Sequence, residues 1–532
     1  MKEQISDMKI VILESSDIHG YIMPYSYLDG SPVDHGLSFI STIIAEQRKE
    51  EAEVLLIDNG DFLQGSPLTY YLAKMDPTQS STVIECMNAI HYDAVVPGNH
   101  EFNFGRSYLE QEVAASKFPW ISANIISENT GEPWFGKPYR IWEWDNGVRL
   151  AILGLTTSHV PNWEQPDHIA GMKFIDPVVA ANRWVSYLRE QEQVDIVVVS
   201  YHGGFERDLL TGEVSETLTG ENQGYALCRE VPRIDVLLTG HQHRAISGQE
   251  VNGVCIVQPG SEGRYLGKIT LFVRRKEDRW IVTDKKSELV STKNVDSDKR
   301  ILELAEPVEV ALALWLDQSL GTVVGNDMRI TNHMQTRLCD HPFVEWINTV
   351  QMELSGAHIS CSAIFDNDSP GFGQNVTMRD IMINYKYPNS LMVLRVRGQD
   401  IKEALERSAS YFQLNDSGMI EVSEDFLQPK PQHFNYDMWE GIEYVMDISR
   451  ERGERIIKLE VKGNTISLSQ EYDVVMNNYR ASGGGEYSMF KEKKVIKEIQ
   501  IDMVELLADY IKGKSVITAT LNNNWYVISG KE

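Results

Sequence analysis

The sequence predicts an α/β (α+β) protein of two domains, and three observations lead there. At 532 residues the chain exceeds what a single hydrophobic core organises. Short unbroken Val/Ile/Leu runs alternate with helically spaced segments through the first half, the pattern of strands in sheets covered on both faces by helices. Five of these runs end in polar clusters, and in such sheets the carboxyl ends of the strands share one rim where ligands bind. Clusters scattered along the sequence from Asp17 to His243 are therefore expected to converge in space.

Taken in order, Lys9-Ile10-Val11-Ile12-Leu13 reads as a buried strand and is followed by Asp17-Ile18-His19-Gly20. Residues 37–49 have helical spacing, with Phe39, Ile40, Ile43 and Ile44 on one side. Val54-Leu55-Leu56-Ile57 then leads to Asp58-Asn59-Gly60-Asp61, and Ala94-Val95-Val96 leads to Gly98-Asn99-His100-Glu101. After a helical stretch at 178–192, Ile196-Val197-Val198-Val199 runs into Ser200-Tyr201-His202-Gly203-Gly204. The last of the set is Val236-Leu237-Leu238, which ends in Thr239-Gly240-His241-Gln242-His243.

From 292 to 317 the chain is charged and then helically patterned, so a catalytic domain is expected over 1–295, a linking helix over 296–322 and a second domain over 323–532. Within the second domain, 340–354 and 398–409 read as helices, and 391–396 and 455–461 as strands.

Composition narrows the function. The formal charge of −27, from 77 acidic and 50 basic residues, argues against a surface for long nucleic acid or anionic lipid. An anionic small molecule would need local positive charge, such as bound metal ions. The five cysteines are widely spaced and lack CxxC pairing, so buried free thiols are expected rather than a zinc knuckle or disulfide framework. No run of about 18 apolar residues suggests a membrane span. The first ten residues show no leader pattern, which points to a cytoplasmic enzyme, or to an exported or cell-surface one if the sequence is a trimmed form.

Taken singly, Asp17-x-His19 and Asp61 read as capping or turn residues, while the doublet His241-x-His243 is of the kind found where both imidazoles bind metal in neutral form. All five in the order D-x-H, G-D, G-N-H-E, H-G-G, G-H-x-H are another matter, and this ordered set resembles the calcineurin-like metallophosphoesterase family. The resemblance implies an N-terminal β-sandwich flanked by helices and two divalent metal ions. Asp17, His19, Asp61 and His243 would hold one ion; Asp61, Asn99, His202 and His241 would hold the other, with Asp61 bridging. Two such ions on the order of 3.5–4 Å apart neutralise phosphate oxygens and activate a water. With oxygen and nitrogen donors and no thiolate, the set admits Mn, Fe, Co, Zn or Ni. His100 would be unligated and face the phosphate, as a proton donor to the leaving oxygen or a stabiliser of transition-state charge, and Asn99 would share the catalytic role by stabilising that charge.

The second half sharpens the resemblance. Tyr385-Lys386-Tyr387-Pro388-Asn389-Ser390 precedes a strand, and the stretch from Asp473 through Asn477, Tyr479 and Arg480 to Gly483-Gly484-Gly485 closes one. Behind a metallophosphoesterase domain, these resemble the carboxyl-terminal α/β domain of the 5'-nucleotidase and 2',3'-cyclic-nucleotide phosphodiesterase family. That resemblance implies substrate binding by Tyr387, Tyr479, Asn477 and Gly484, with the two tyrosines sandwiching the base. A stacked base contributes about 1–3 kcal/mol whatever its identity.

Two departures choose between branches of that family. The 5'-nucleotidase branch usually places an aspartate three residues after the catalytic histidine; here it is Asn103, so His100 is expected to lack a carboxylate partner. The 5'-nucleotidase branch also places arginines in a Gly-rich segment that here reads Ala363-Ile364-Phe365-Asp366-Asn367-Asp368-Ser369-Pro370-Gly371-Phe372-Gly373, without arginine. Asn103, Tyr387-Pro388-Asn389 and Phe434-Asn435-Tyr436-Asp437-Met438-Trp439-Glu440-Gly441 are similar to the cyclic-phosphodiesterase branch. The expected activity is therefore a 2',3'-cyclic-nucleotide 2'-phosphodiesterase and 3'-nucleotidase acting on small nucleotides. A 5'-nucleotidase or UDP-sugar hydrolase of the same fold, and a catalytically inactive nucleotide-binding protein, are the competing readings.

Overall fold

The computed structural model describes residues 7–76, 81–277, 279–387, 389–428 and 430–530. Pro388, part of the Tyr387-Pro388-Asn389 motif, and the first six residues lie outside the described residues. The chain divides into two compact units, Met1–Leu312 and Ala313–Glu532. The boundary falls inside one helix, Lys299–Leu316, shorter at both ends than the expected 296–322.

The first unit is built on two sheets. In the five-stranded sheet, Asp7–Ser15 lies beside Val54–Asp58, which lies beside Ala94–Val95, and the strands Tyr265–Lys276 and Arg279–Ser291 complete the other side. The first three strands run parallel. In the six-stranded sheet, Arg149–Thr156, Ile196–His202, Val236–Thr239 and Val254–Pro259 are consecutive parallel neighbours.

Alternation along each strand sorts its side chains to two faces. Leu150, Ile152, Val198, Val236 and Leu238 join Ile10, Ile12, Leu55 and Ile57 of the other sheet in one shared core. Ala151, Leu153, Val197, Val199 and Leu237 face the opposite way, onto Val178, Ala181, Val185 and Leu188 of the helix Pro177–Glu190 and Leu227 of Gly224–Glu230. Each such fully buried aliphatic side chain contributes about 1.5–3 kcal/mol. The β-sandwich flanked by helices that the family resemblance implies is thus observed, while the strand periodicity's suggestion of helices on both faces of each sheet is corrected: the two sheets cover one another on the inside, and helices cover the outside. Periodicity reports that a strand is buried twice over but not by what.

The second unit holds a five-stranded sheet in the order Met438–Glu440, Ile359–Ser362, Glu471–Asn477, Leu391–Arg397, Lys494–Ile499, with smaller sheets beside it. The helices Pro342–Ser355 and Gly398–Ala409 correspond to the expected ones. No disulfide forms; Cys86, Cys228, Cys255 and Cys361 are buried as expected, while Cys339 is only partly covered. No helix among the described residues is long and apolar enough to cross a membrane.

One buried acid anchors the helix Lys299–Leu316 within the first unit. Glu309 is 3% exposed and accepts hydrogen bonds from the hydroxyls of Tyr27 at 2.6 Å and Tyr25 at 2.8 Å. Burial raises its carboxyl from the ordinary 4.5 to about 7, against the opposing pull of the two hydroxyls. With the folded pKa raised, this group's contribution is fully present below about pH 4.5 and is lost as pH climbs through about 7. The loss is on the order of 3 kcal/mol. Glu309→Gln, which stays neutral, is expected to melt above the wild type at about pH 8.5 and together with it at about pH 5. Thermal melts at both pH values check this.

Candidate functional site

The expected convergence occurs on the rim at the carboxyl ends of the parallel strands. Asp17, His19 and His243 form one group of potential metal-ligating atoms, and Asp61, His202 and His241 form another. In the first group, His19 Nε2 and His243 Nε2 are 3.0 Å apart, and His243 Nε2 is 3.4 Å from Asp17 Oδ1. In the second, His202 Nε2 lies 3.0 Å from Asp61 Oδ2 and 3.2 Å from Asn99 Oδ1, which is itself 2.8 Å from His241 Nδ1. Asn99 thus joins the second group. Asp61, expected to bridge, groups with the second set, and its other oxygen accepts the His100 backbone N–H at 2.7 Å.

The outer nitrogens explain why the inner ones matter. His19 Nδ1 donates to the Gln64 carbonyl at 2.7 Å, and His202 Nδ1 donates to the Asn59 carbonyl at 2.6 Å. His241 Nε2 donates to the Glu221 carboxylate at 2.9 Å. Carbonyl and carboxylate oxygens only accept, so each pinned nitrogen carries the hydrogen and the opposite nitrogen turns a lone pair inward. In the second group, lone pairs of His202, His241, Asn99 and Asp61 face one another. Acceptors packed this closely repel unless a cation sits among them, and this donor set of imidazole, carboxylate and amide oxygen suits a divalent transition metal.

The same crowding shows in the electrostatics: burial opposes charge on His202, yet Asp61 beside it draws its pKa up to about 10, so a proton can fill the cation's place between the two side chains. Burial likewise works against Asp17, but the hydrogen bond and charge of His243 take it down to about 2. His19 is pushed down to about 4 by burial and by His243. All of these residues except His243 are nearly inaccessible, so their charges act in a weakly screened interior.

Local backbone strain concentrates at the same place. Asp17, His19, Asp61, His241 and His243 all hold positive φ, between 52° and 66°. Side chains rarely adopt this region, at a cost of about 1–3 kcal/mol each, and such strain gathers at ligand clamps. Gly98 and Gly240 permit the close approach that follows: a Cβ at Gly98 would collide with the Asp61 carboxylate and the His202 ring, and one at Gly240 with Ser16 and Asp17.

Several site residues were not singled out by sequence. Glu101, 1% exposed, accepts backbone hydrogen bonds from Asp61, Phe62, Leu63 and Gly98, bracing two ligand loops with one carboxylate. It stood in the quoted G-N-H-E motif, and its place beside two ligands was the available signal. Glu221 and Trp163 carried none. Trp163 stacks on His241 with ring centroids 5.5 Å apart and an interplanar angle of 26°. The His100 ring lies 5.3 Å from that of His19. Its Nδ1 is 2.6 Å from Asn103 Oδ1, and Asn103 Nδ2 donates to the Glu164 carboxylate in turn. His100 thus meets an amide at this nitrogen, as Asn103 leads one to expect, and a carboxylate stands one hydrogen bond further away, brought by a segment 61 residues distant in sequence.

In the second unit, Tyr387 and Tyr479 do not form a direct ring pair; Phe434 stands in edge contact with both, at 6.1 Å and 6.4 Å. All three are partly exposed, and Phe434 opens the stretch 434–441 that is similar to the cyclic-phosphodiesterase branch. Gly484 lies so close to the Tyr479 ring that no Cβ fits. Asn477 is buried and its Oδ1 caps the helix Asn478–Ala481 through the Arg480 N–H at 2.7 Å, a structural task beside the substrate contact expected of it. Arg480 itself is buried against Asp437 in a two-pronged pair at 2.6 Å and 3.1 Å, and its other donor bonds reach the carbonyls of Phe434 and Gly484. The segment 363–373 does meet an arginine, but Arg337 is 2% exposed and spends its donors on Asn367 and on the carbonyls of Ile364 and Asp366.

Paired sets of inward-facing ligands on the rim of a β-sandwich define a metal-dependent phosphoesterase. The comparisons with known proteins agree. Residues 10–245 match the family model for calcineurin-like phosphoesterases, and residues 321–492 match that for the 5'-nucleotidase C-terminal domain. A solved Staphylococcus aureus structure, described as a 5'-nucleotidase in complex with α-ketoglutarate, is 34% identical with a TM-score of 0.90, covering 98% of this chain and all of that one. A Haemophilus influenzae 2',3'-cyclic-nucleotide 2'-phosphodiesterase/3'-nucleotidase is 27% identical over 98% of this chain and 87% of its own length. The trifunctional nucleotide phosphoesterase YfkN of Bacillus subtilis is 28% identical over 97% of this chain, which spans only 38% of that protein. The chain belongs to the 5'-nucleotidase family of calcineurin-like metallophosphoesterases, hydrolases of phosphoric esters.

Glu221→Ala is expected to weaken divalent-metal affinity by about 10–100-fold, since it releases the outer nitrogen of His241. Metal titration of the stripped protein, alongside thermal melts showing the fold unchanged, checks this.

Proposed function

We propose that the protein hydrolyses 2',3'-cyclic nucleotides at the 2' bond and the resulting 3'-monophosphates. The observation that carries this choice is the amide of Asn103 at His100, where the 5'-nucleotidase branch usually has a carboxylate. Two others support it: Arg337, which meets segment 363–373, is buried and bonded to that segment itself, and the Haemophilus influenzae relative bears the same activity in its name. The description of the Staphylococcus aureus relative favours 5'-nucleotides as the second reading.

In this reading Asp17, His19, Asp61 and His243 hold one ion, and Asp61, Asn99, His202 and His241 hold the other. When bound, such ions neutralise phosphate oxygens and lower the pKa of a water. The chain's own residues do the rest. With Nδ1 donating to Asn103, His100 keeps Nε2 for the substrate, where a proton is passed to the departing ribose oxygen or held against the developing charge. Tyr387, Phe434 and Tyr479 offer ring surface to a base, and stacking of that kind accepts any base. Trp163, stacked on His241, holds that ligand ring in place and restricts water beside it.

A panel of 2',3'-cyclic AMP, 3'-AMP, 5'-AMP and a UDP-sugar with added manganese is expected to show turnover of the first two. Exclusive turnover of 5'-AMP would instead establish the second reading. His100→Ala is expected to lower kcat by about 10²–10⁴-fold with metal content retained. A loss of less than about tenfold removes His100 from proton transfer.

A further inference from the structure

The geometry points to Glu164 and His168 as positioning residues for His100, acting through the side-chain amide of Asn103. The inference rests on the proposed role of His100 at the reacting phosphate.

An asparagine amide has two orientations, and either end could face His100 Nδ1. Glu164 removes that freedom. Its carboxylate only accepts, so it takes the Asn103 Nδ2 hydrogen and obliges Oδ1 to face the histidine. Oδ1 in turn accepts from His100 Nδ1, which fixes the ring's tautomer and leaves Nε2 as its working nitrogen. Without Glu164 the amide can flip and present N–H to Nδ1, which denies that nitrogen its hydrogen and so opposes the imidazolium from which Nε2 passes a proton.

The carboxylate is itself held. Its second oxygen accepts from His168 Nδ1 at 2.9 Å, four residues along the same segment, and its side chain is only 7% exposed. Rotation out to water is therefore closed to it. His168 packs in turn against Gly105, just past Asn103: a Cβ there would lie 3.3 Å from the imidazole ring. The segment also carries Trp163, stacked on the candidate ligand His241. One stretch between the strands Arg149–Thr156 and Met172–Phe174 thus addresses both the acid–base residue and the metal centre. A carboxylate that only anchored this segment would have no need of an amide whose other end is committed to His100.

The test is a set of variants assayed with 2',3'-cyclic AMP and with bis-p-nitrophenyl phosphate, with metal content measured for each. Glu164→Leu is expected to lower kcat by about 10–100-fold, the scale of a misplaced catalytic group, with KM within about twofold and metal content unchanged. Glu164→Gln retains most activity, because its amide oxygen still accepts from Asn103. Asn103→Asp sets two carboxylates against each other and loses activity. The double variant Asn103→Asp/Glu164→Gln recovers to within about threefold of wild type, because the glutamine amide now donates to the aspartate. This rescue keeps the test decisive even where Glu164→Leu fails to fold. Full activity in Glu164→Leu, or a double variant no better than the product of the two singles, overturns the assignment. Failure of the underlying reading looks different: a wild type that turns over neither ester, or an undiminished His100→Ala.

Discussion

The first unit depends on one constraint, that histidine rings at the rim keep their lone pairs turned inward. Three outer nitrogens are pinned, two by the carbonyls of Gln64 and Asn59 and one by Glu221. Everything nearby follows from holding mutually repelling acceptors in one place. The loops adopt left-handed backbone at five candidate ligand positions, glycines stand where no Cβ fits, and Glu101 collects four backbone N–H groups from two loops. These features are individually unfavourable or tightly constrained. They persist because the shared apolar core of the two sheets fixes the strand ends from which the loops emerge.

The second unit solves a similar problem with an ion pair. Arg480 and Asp437 are both buried, and desolvating two charges is expensive unless every donor is used. Here the guanidinium binds the carboxylate twice and also reaches the carbonyls of Phe434 and Gly484, so a single side chain ties together the loops that carry the aromatic rings. Gly485, at φ 69°, completes the junction, since a Cβ there would collide with Asn435. Ring placement in this unit is thus a consequence of buried electrostatics rather than of the rings' own packing.

Much of this was legible in advance because it is local. A strand that ends in Asp-x-His or Gly-Asn-His-Glu announces its ligand within a few residues, and parallel strands bring those ends to one rim by topology alone. The metal-ligand candidates were therefore readable one cluster at a time, and the structure assembles them. What was not legible is whatever a distant segment contributes. Glu164 sits in a polar stretch without strand or helix periodicity, and nothing near it in sequence mentions His100. Phe434 stood in a quoted motif, but its position between Tyr387 and Tyr479 depends on three loops meeting. Asn477 also has a task that its own stretch does not announce, as the cap of the helix that follows it.

The sequence by itself determined the fold class, the two-part organisation and the identity of the metal-ligand candidates, because hydrophobic period and strand-end chemistry are properties of short windows. Tertiary structure alone decided which side chains of each strand enter the core shared by the sheets, which nitrogen of each pinned histidine faces inward, and that a carboxylate stands behind Asn103. Each of these rests on a hydrogen bond or contact between residues tens to hundreds of positions apart, where chain order carries no information about distance.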